Sequence, residues 1–248
     1  MSASANPLPV AGRLAHRRIV VTGAASGIGR ATALLFASAG AALALLDRDA
    51  AGLAQTAERT GGHAIEVDVA SEASVAAAAE RAAGALGGID GLVNAAGIMR
   101  TGPMAATPVE VWRQVLDVNL TGTYLVSRGC LPWLQQATGS SIVNIASAAG
   151  LLPNAAELTA YAASKGGVVN LTRAMAAELA PAIRVNSVCP GMVDTPMADG
   201  HRTNVGNYAL KRIADPDEIA RVILFLISAD SSYVTGAALA ADGGRSFH

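Results

Sequence analysis

The stretch R-I-V-V-T-G-A-A-S-G-I-G, Arg18 to Gly29, decides the fold. Its first five residues read as a buried strand, Arg18 to Thr22. A glycine-rich turn follows at once, and an apolar helical pattern runs on from it to about Ala39. Strand, glycine turn and helix in that order suit a dinucleotide pyrophosphate. Glycines let the backbone come close to the anion, and the free N–H groups and positive dipole end of the new helix point at it. The spacing here is G-x-x-x-G-x-G, Gly23 to Gly29, rather than the commoner G-x-G-x-x-G. A glycine turn after a strand is also an ordinary tight turn, so the motif needs support from the rest of the chain.

Outward from this unit, short apolar runs alternate with longer helical patterns, the signature of β-α-β units feeding a parallel sheet. The expected strands are Arg18 to Thr22, Ala42 to Leu46, Ala64 to Val67, Gly91 to Val93, Ser141 to Ile145, Arg184 to Val188 and Ala237 to Ala240. Two helices mark their starts by capping boxes with proline at the first helical position, at Thr107-Pro108-Glu110 and Asp215-Pro216-Glu218. No linker, charge block or repeat divides the chain. The expectation is an α/β protein: a single-domain Rossmann-type doubly wound sheet of about seven parallel strands with helices on both faces. Residues 1–12 read as a loose tail and 13–248 as the domain, with a long connection at 190–212 of the kind that is usually functional.

Composition narrows the class. Of 248 residues, 52% are hydrophobic and 15% charged, which provides apolar side chains for a buried sheet. A net charge of -1 offers no electrostatic footprint for nucleic acid or an anionic membrane, so neither is expected as a partner. Cys130 and Cys189 form no C-x-x-C and read as reduced core thiols. The start, M-S-A-S-A-N-P-L-P-V, lacks a secretory signal, and the apolar run Ala31 to Leu46 is broken by Ser38 and Gly40 and falls short of the roughly 20 residues of a span. A cytoplasmic protein is expected. His16, His63, His201 and His248 show no metal-ligand spacing, and no metal is expected.

Three further features carry chemistry. Asp47 closes the second strand, where a carboxylate can accept hydrogen bonds from a ribose diol and repel a 2'-phosphate; this favours NAD, while adjacent Arg48 leaves room for NADP. Tyr161 and Lys165 sit four apart on one helix face. A free phenol ionises near about pH 10, and a neighbouring ammonium lowers that value toward use as a base. Such a pair also occurs on ordinary solvated helices. Ser147 follows the strand S-I-V-N-I at the carboxyl edge of the sheet, the edge where open α/β sheets bind ligands. It lies outside any G-x-S-x-G, which argues against a Ser-His-Asp hydrolase.

With these residues in register, the sequence resembles the short-chain dehydrogenase/reductase family from Leu14 to Gly244. The motifs are T-G-A-A-S-G-I-G at Thr22 to Gly29, Asp68-Val69, N-A-A-G at Asn94 to Gly97, Asn119, Ser147, Tyr161 with Lys165, and P-G-M-V-D-T at Pro190 to Thr195. The resemblance implies that Tyr161 is the acid/base and that Ser147 orients the substrate oxygen. Lys165 would depress the tyrosine pKa and hold the nicotinamide ribose, and Asn119 would tie a water-mediated proton path to Lys165. It implies cofactor contacts at Gly23, Ser26, Ile28, Gly29, Asp47, Asp68, Val69, Asn94, Gly97, Tyr161, Lys165, Pro190, Gly191, Val193 and Thr195. Substrate contacts are expected from Met99, Leu152, Asn154, Glu157, Met192 and Met197. A homotetramer, built as a dimer of dimers, is the assembly implied, and the tail D-G-G-R-S-F-H could reach a neighbouring subunit's site; a monomer on sizing would rule that out.

The function expected is an NAD(H)-dependent oxidoreductase interconverting a secondary alcohol and its ketone. An NADPH-dependent ketoreductase of 3-oxoacyl type is the near alternative, opposed by Asp47 and by the absence of a basic residue in A-A-S of the glycine turn. A non-catalytic dinucleotide-binding regulator is the distant one, opposed by the intact set of Ser147, Tyr161, Lys165 and Asn119.

Overall fold

The computed structural model describes residues 10–153, 155–199 and 205–246. In chain order the elements begin with β1 (Arg18–Thr22), α1 (Gly27–Ser38), β2 (Ala42–Asp47), α2 (Ala50–Thr60), β3 (His63–Glu66), α3 (Glu72–Leu86) and β4 (Gly91–Asn94). They continue through α4 (Val109–Leu116), a π turn (Asp117–Thr121), α5 (Gly122–Leu134), β5 (Ser140–Ile145), the short α6 (Ala148–Leu151), α7 (Thr159–Leu179), β6 (Ile183–Pro190), α8 (Pro216–Ile227) and β7 (Ala238–Ala241). The seven strands form one parallel sheet in the order β3-β2-β1-β4-β5-β6-β7. From β1 the chain winds outward to β3, then crosses back to β4 and winds the other way. The carboxyl ends of β1 and β4 therefore flank the crevice in which such sheets bind ligands.

The sheet is buried because helices cover both faces. On one face α1 and α8 bring Phe36, Ile219, Ile223 and Leu226 against Ile19, Val21 and Val143. On the other, α3, α5 and α7 bring Val75, Ala82, Val126, Leu134 and Ala176 against Val20, Leu92 and Ile142. Alternate residues of one strand thus enter opposite cores, which is why these strands are continuously apolar. Arg17 and Arg18 close the amino edge on Asp90, at 2.5 and 3.1 Å. Cys130 and Cys189 are buried free thiols. Among the described residues no helix is long and apolar enough to cross a membrane.

The strand ends differ from expectation by one or two residues: β2 takes in Asp47 and β6 runs to Pro190. Of the two capping boxes, the one at Asp215 is present: its carboxylate accepts from Asp217 N and its own N–H donates to Glu218 Oε2, both at 2.9 Å. The one at Thr107 is not. Its hydroxyl donates backwards to the Pro103 carbonyl at 2.9 Å, and Pro108 occupies the cap position of a helix that begins at Val109. In the connection at 190–212, Val193 bridges Ala214 and Pro196–Ala198 forms one 3₁₀ turn. Val10, at the end of the expected tail, packs on the core; residues 1–9 lie outside the described chain.

Candidate active site

A cavity of about 790 Å³ opens along the carboxyl edge of the sheet, within the range of small-molecule sites. Its wall starts at the glycine turn. Gly23 has φ 66°, and a Cβ there would stand 2.8 Å from the backbone of Ala95 and Ala96, while one on Gly29 would stand 2.1 Å from the Gly23 carbonyl oxygen. Strand, turn and helix are therefore packed backbone on backbone. Thr22 Oγ1 accepts from Ala95 N and Ala96 N at 3.1 Å, which ties N-A-A-G to β1. Ser26 caps α1 without a side-chain bond, the first turn holds no acid, and Gly27, Ile28 and Gly29 at this amino end line the cavity.

On the β2–β3 side Asp47, Asp68 and Val69 line the same cavity. Asp47 also braces the turn, accepting from Ala25 N at 2.9 Å and Asp49 N at 3.0 Å. Asn94 does not reach the wall. It is buried behind it, donating to Ser127 Oγ and Asn144 Oδ1 at 3.0 and 2.9 Å.

On the β5–β7 side Ser147, Tyr161 and Lys165 meet. Ser147 ends the chain's run from β5, accepts from Ala149 N at 3.1 Å and lines the wall beside Tyr161. Burial pushes the phenol's pKa up; the Ser147 bond and the charge of Arg245 pull it down. The Lys165 ammonium lies 5.9 Å from the ring centroid and donates to the Ile145 carbonyl at 2.7 Å, and burial lowers its own pKa to about 8. Helix α7 comes this close to α6 because residue 150 is glycine: a Cβ there would meet the Lys165 carbonyl carbon at 2.6 Å.

Asn119 lies in the π turn, a widening of the helix that is frequent at functional sites. Its amide is spent on neighbours: Oδ1 accepts from Ile98 N at 2.8 Å, and Nδ2 donates to Ile98 O at 2.9 Å and Ser164 Oγ at 3.0 Å. It makes no direct bond to Lys165. Both groups border Gly97, where a Cβ would meet Asn119 Oδ1 at 3.2 Å and Lys165 Nζ at 3.4 Å.

The remaining wall comes from loops. Pro190, Gly191, Met192, Val193, Thr195 and Met197 line it, as do Met99 and Glu157. Leu152 does not: the chain leaves α6 there. Asn154 and His201 lie outside the described residues. Two wall residues carry no motif that would mark them: Tyr208, whose hydroxyl accepts from Met192 N at 3.0 Å, and Leu158. Arg245 lines the cavity of its own chain.

A family model described as enoyl-(acyl carrier protein) reductase matches residues 23–246, the whole span from glycine turn to C-terminal turn. The cis-4-hydroxycyclohexanecarboxylate dehydrogenase of Sinomonas cyclohexanicum is 42% identical over 241 residues, covering 93% of this chain and 96% of that protein. The chain belongs to the short-chain dehydrogenase/reductase family. This short-chain oxidoreductase is also 39% identical to the 3-oxoacyl-[acyl-carrier-protein] reductase of Thermotoga maritima, over 94% of this chain and 98% of that one. Its fold superposes with a TM-score of 0.90 on a 3-ketoacyl-(acyl-carrier-protein) reductase from Brucella melitensis complexed with NADH, 35% identical, over 94% and 100% of the two chains.

Proposed function

We propose that this reductase interconverts a secondary alcohol and its ketone with NAD(H), using Tyr161 as acid/base. What carries the reading is the meeting of Tyr161, Ser147 and buried Lys165 in the wall of one cavity that extends back to the glycine turn. The cradle fits a nicotinamide dinucleotide, because Gly23 and Gly29 let strand, turn and helix pack backbone on backbone, which brings the amino end of α1 into the cavity wall. The α1 amino end would hold the pyrophosphate, Asp47 the adenosine ribose, Asp68 and Val69 the adenine, Lys165 the second ribose, and Pro190 to Thr195 the carboxamide end. Bound there, the dinucleotide accepts or supplies the hydride.

In oxidation, the Tyr161 phenolate takes the hydroxyl proton while Ser147 Oγ holds the same oxygen; in reduction, the phenol returns the proton to the carbonyl oxygen. Ile145 and Ile98 make the support rigid by fixing Lys165 and Asn119 through their backbone groups. Because burial raises the phenol's pKa, oxidation is expected to climb toward alkaline pH, and reduction, which needs the phenol protonated, to fall there. Ser147→Ala removes a bond that lowers this pKa, so the rising limb of kcat against pH should move upward. A limb that stayed in place or moved down would count against Tyr161 as the titrating base.

Cofactor choice is read at Asp47. Fluorescence titration of NADH and NADPH is expected to favour NADH, and Asp47→Ala to cut that preference by roughly tenfold or more, the weight of one charge-assisted contact. Comparing the ratio of the two affinities removes the effect of loosening Ala25. A native preference for NADPH would instead make exposed Arg48 the dominant group and favour the 3-oxoacyl reductase reading. The assay panel is cyclohexanol, 4-hydroxycyclohexanecarboxylate and its methyl ester, and a 3-oxoacyl thioester, each with both cofactors. Activity on none of them would end the redox proposal.

The exposed apolar residues Val109, Trp112 and Tyr124 on α4 and α5, and Phe225 and Leu239 on α8 and β7, support the homotetramer that the family resemblance implies.

A further inference from the structure

A second cavity, of about 520 Å³, adjoins the first on the side of β7 and α8. Gly191, Met192 and Tyr208 line both, so these three residues stand between them. Tyr208 supplies the bulk. Its ring lies on the Gly191 backbone, where a Cβ would meet Tyr208 Cε1 at 2.7 Å, and Gly243 flanks it, a Cβ there standing 3.4 Å from Cδ1. The hydroxyl accepts from Met192 N at 3.0 Å, and the residue is 5% exposed. The backbone that carries the ring is tied as well. Tyr208 N donates to the Val205 carbonyl and Lys211 N to the Tyr208 carbonyl, both at 3.1 Å, and Leu210 N donates to the Gly243 carbonyl at 3.0 Å. Buried, packed on a glycine and hydrogen-bonded at its tip, the ring is a fixed partition rather than a swinging side chain.

The two sides of the partition differ in chemistry. On one side, Tyr208 and Met192 share a wall with Ser147 and Tyr161. On the other, Leu210, Ala214, Ile219, Val222 and Ala240 make an apolar lining. The charged side chains of that second wall are engaged. Arg212 pairs with Glu218 at 2.6 Å, and the Asp242 carboxylate accepts from Gly244 N and Ser246 N, each at 2.9 Å. The space therefore suits a hydrocarbon group. A substrate whose oxygen meets Tyr161 and whose body extends toward Tyr208 stops at the ring, which cannot retreat because the Gly191 backbone lies against it. Room for a larger body exists beyond, and the native chain closes it off.

We infer that Tyr208 determines substrate size: its ring holds the enzyme to compact alcohols and ketones by shutting an apolar annex that would otherwise take a bulky substituent. This rests on the redox reading above, and the test separates the two. For the native protein, Tyr208→Ala and Tyr208→Phe, kcat/KM is measured with cyclohexanol and with the 2-, 3- and 4-phenylcyclohexanols, which send the added ring in different directions. The bulky-to-compact ratio within each protein cancels losses common to all substrates. For at least one isomer it should rise roughly tenfold or more in Tyr208→Ala, the scale on which apolar pockets discriminate size. In Tyr208→Phe, which frees Met192 N but keeps the ring, it should stay near the native value. Tyr208→Leu, with intermediate bulk on Gly191, should give a smaller rise, and it replaces the alanine variant if that protein fails to fold by thermal melt. Oxidation of cyclohexanol with an unchanged ratio in the truncated variant, or an equal rise in Tyr208→Phe, would overturn the inference and leave the redox reading standing. A second readout needs no turnover: quenching of bound NADH fluorescence by the same alcohols, which NADH cannot oxidise. The phenyl-bearing isomer should gain affinity over cyclohexanol only where the ring is removed; no gain would overturn the inference. If that gain appears while no alcohol is oxidised with either cofactor, it is the redox reading that falls.

Discussion

Tyr161→Phe is expected to lower kcat for alcohol oxidation by roughly a hundred- to ten-thousand-fold, the weight of a positioned acid/base, while leaving NADH affinity close to that of the native protein. The substitution removes one oxygen and keeps the ring, so the contact with the Lys165 ammonium 5.9 Å from its centroid survives and the packing of α7 against α6 is undisturbed. What disappears is the phenol oxygen in the cavity wall that Ser147 also lines. Steady-state oxidation at several pH values, with an NADH titration on the same preparations, checks both halves. The residual rate should also lose the alkaline limb, since its titrating group is gone. Near-native turnover would remove Tyr161 from the chemistry and leave Ser147 and Lys165 as parts of a binding site alone.

The elements that the sequence showed best are those whose pattern is local. Ile19, Val20 and Val21 are a strand in any context that covers both faces, and α1 and α3 supply that cover. The four-residue spacing of Tyr161 and Lys165 puts them on one helix face by geometry alone. Roles set by tertiary contact were hidden. Nothing near Lys165 in sequence says that its ammonium will meet the Ile145 carbonyl, which lies 20 residues away at the sheet edge. Asn119 reads as an irregularity in a helix, yet only the folded chain shows its amide clamped on Ile98. Gly150 in S-A-A-G carries no signal; its need appears where α6 touches the backbone of α7. Thr107 had the right spacing for a cap, but the preceding turn offered the Pro103 carbonyl and took its hydroxyl. The substrate wall was least legible, because Leu158, Tyr208 and Arg245 come from connections without a period.

Gly29→Ala should be the most damaging single-methyl change outside the catalytic groups. The added carbon would lie 2.1 Å from the Gly23 carbonyl oxygen and 2.6 Å from its carbon, both of them backbone. Gly23 cannot readily yield, since it lies so near Ala95 and Ala96 that a Cβ on it would stand 2.8 Å from their backbone. Helix α1 must therefore shift, and it carries Ala33 and Phe36 into the core against α8. Overpacking of this kind costs about 1–3 kcal/mol, or roughly 2–12 °C in Tm for a chain of this size. Because the same shift moves the N–H groups of the α1 first turn, NADH affinity should fall about tenfold or more, as losing a charge-assisted contact would predict. Gly84→Ala is the matched control: it sits inside α3 with nothing within 4 Å of the new carbon, so it should be neutral or stabilise by up to about 1 kcal/mol. Thermal melts with and without NADH separate the effects. A Gly29→Ala protein that melts with the native one and binds NADH as well would mean that the turn has slack, and the packed strand, turn and helix could not then be what fixes the pyrophosphate end of the site.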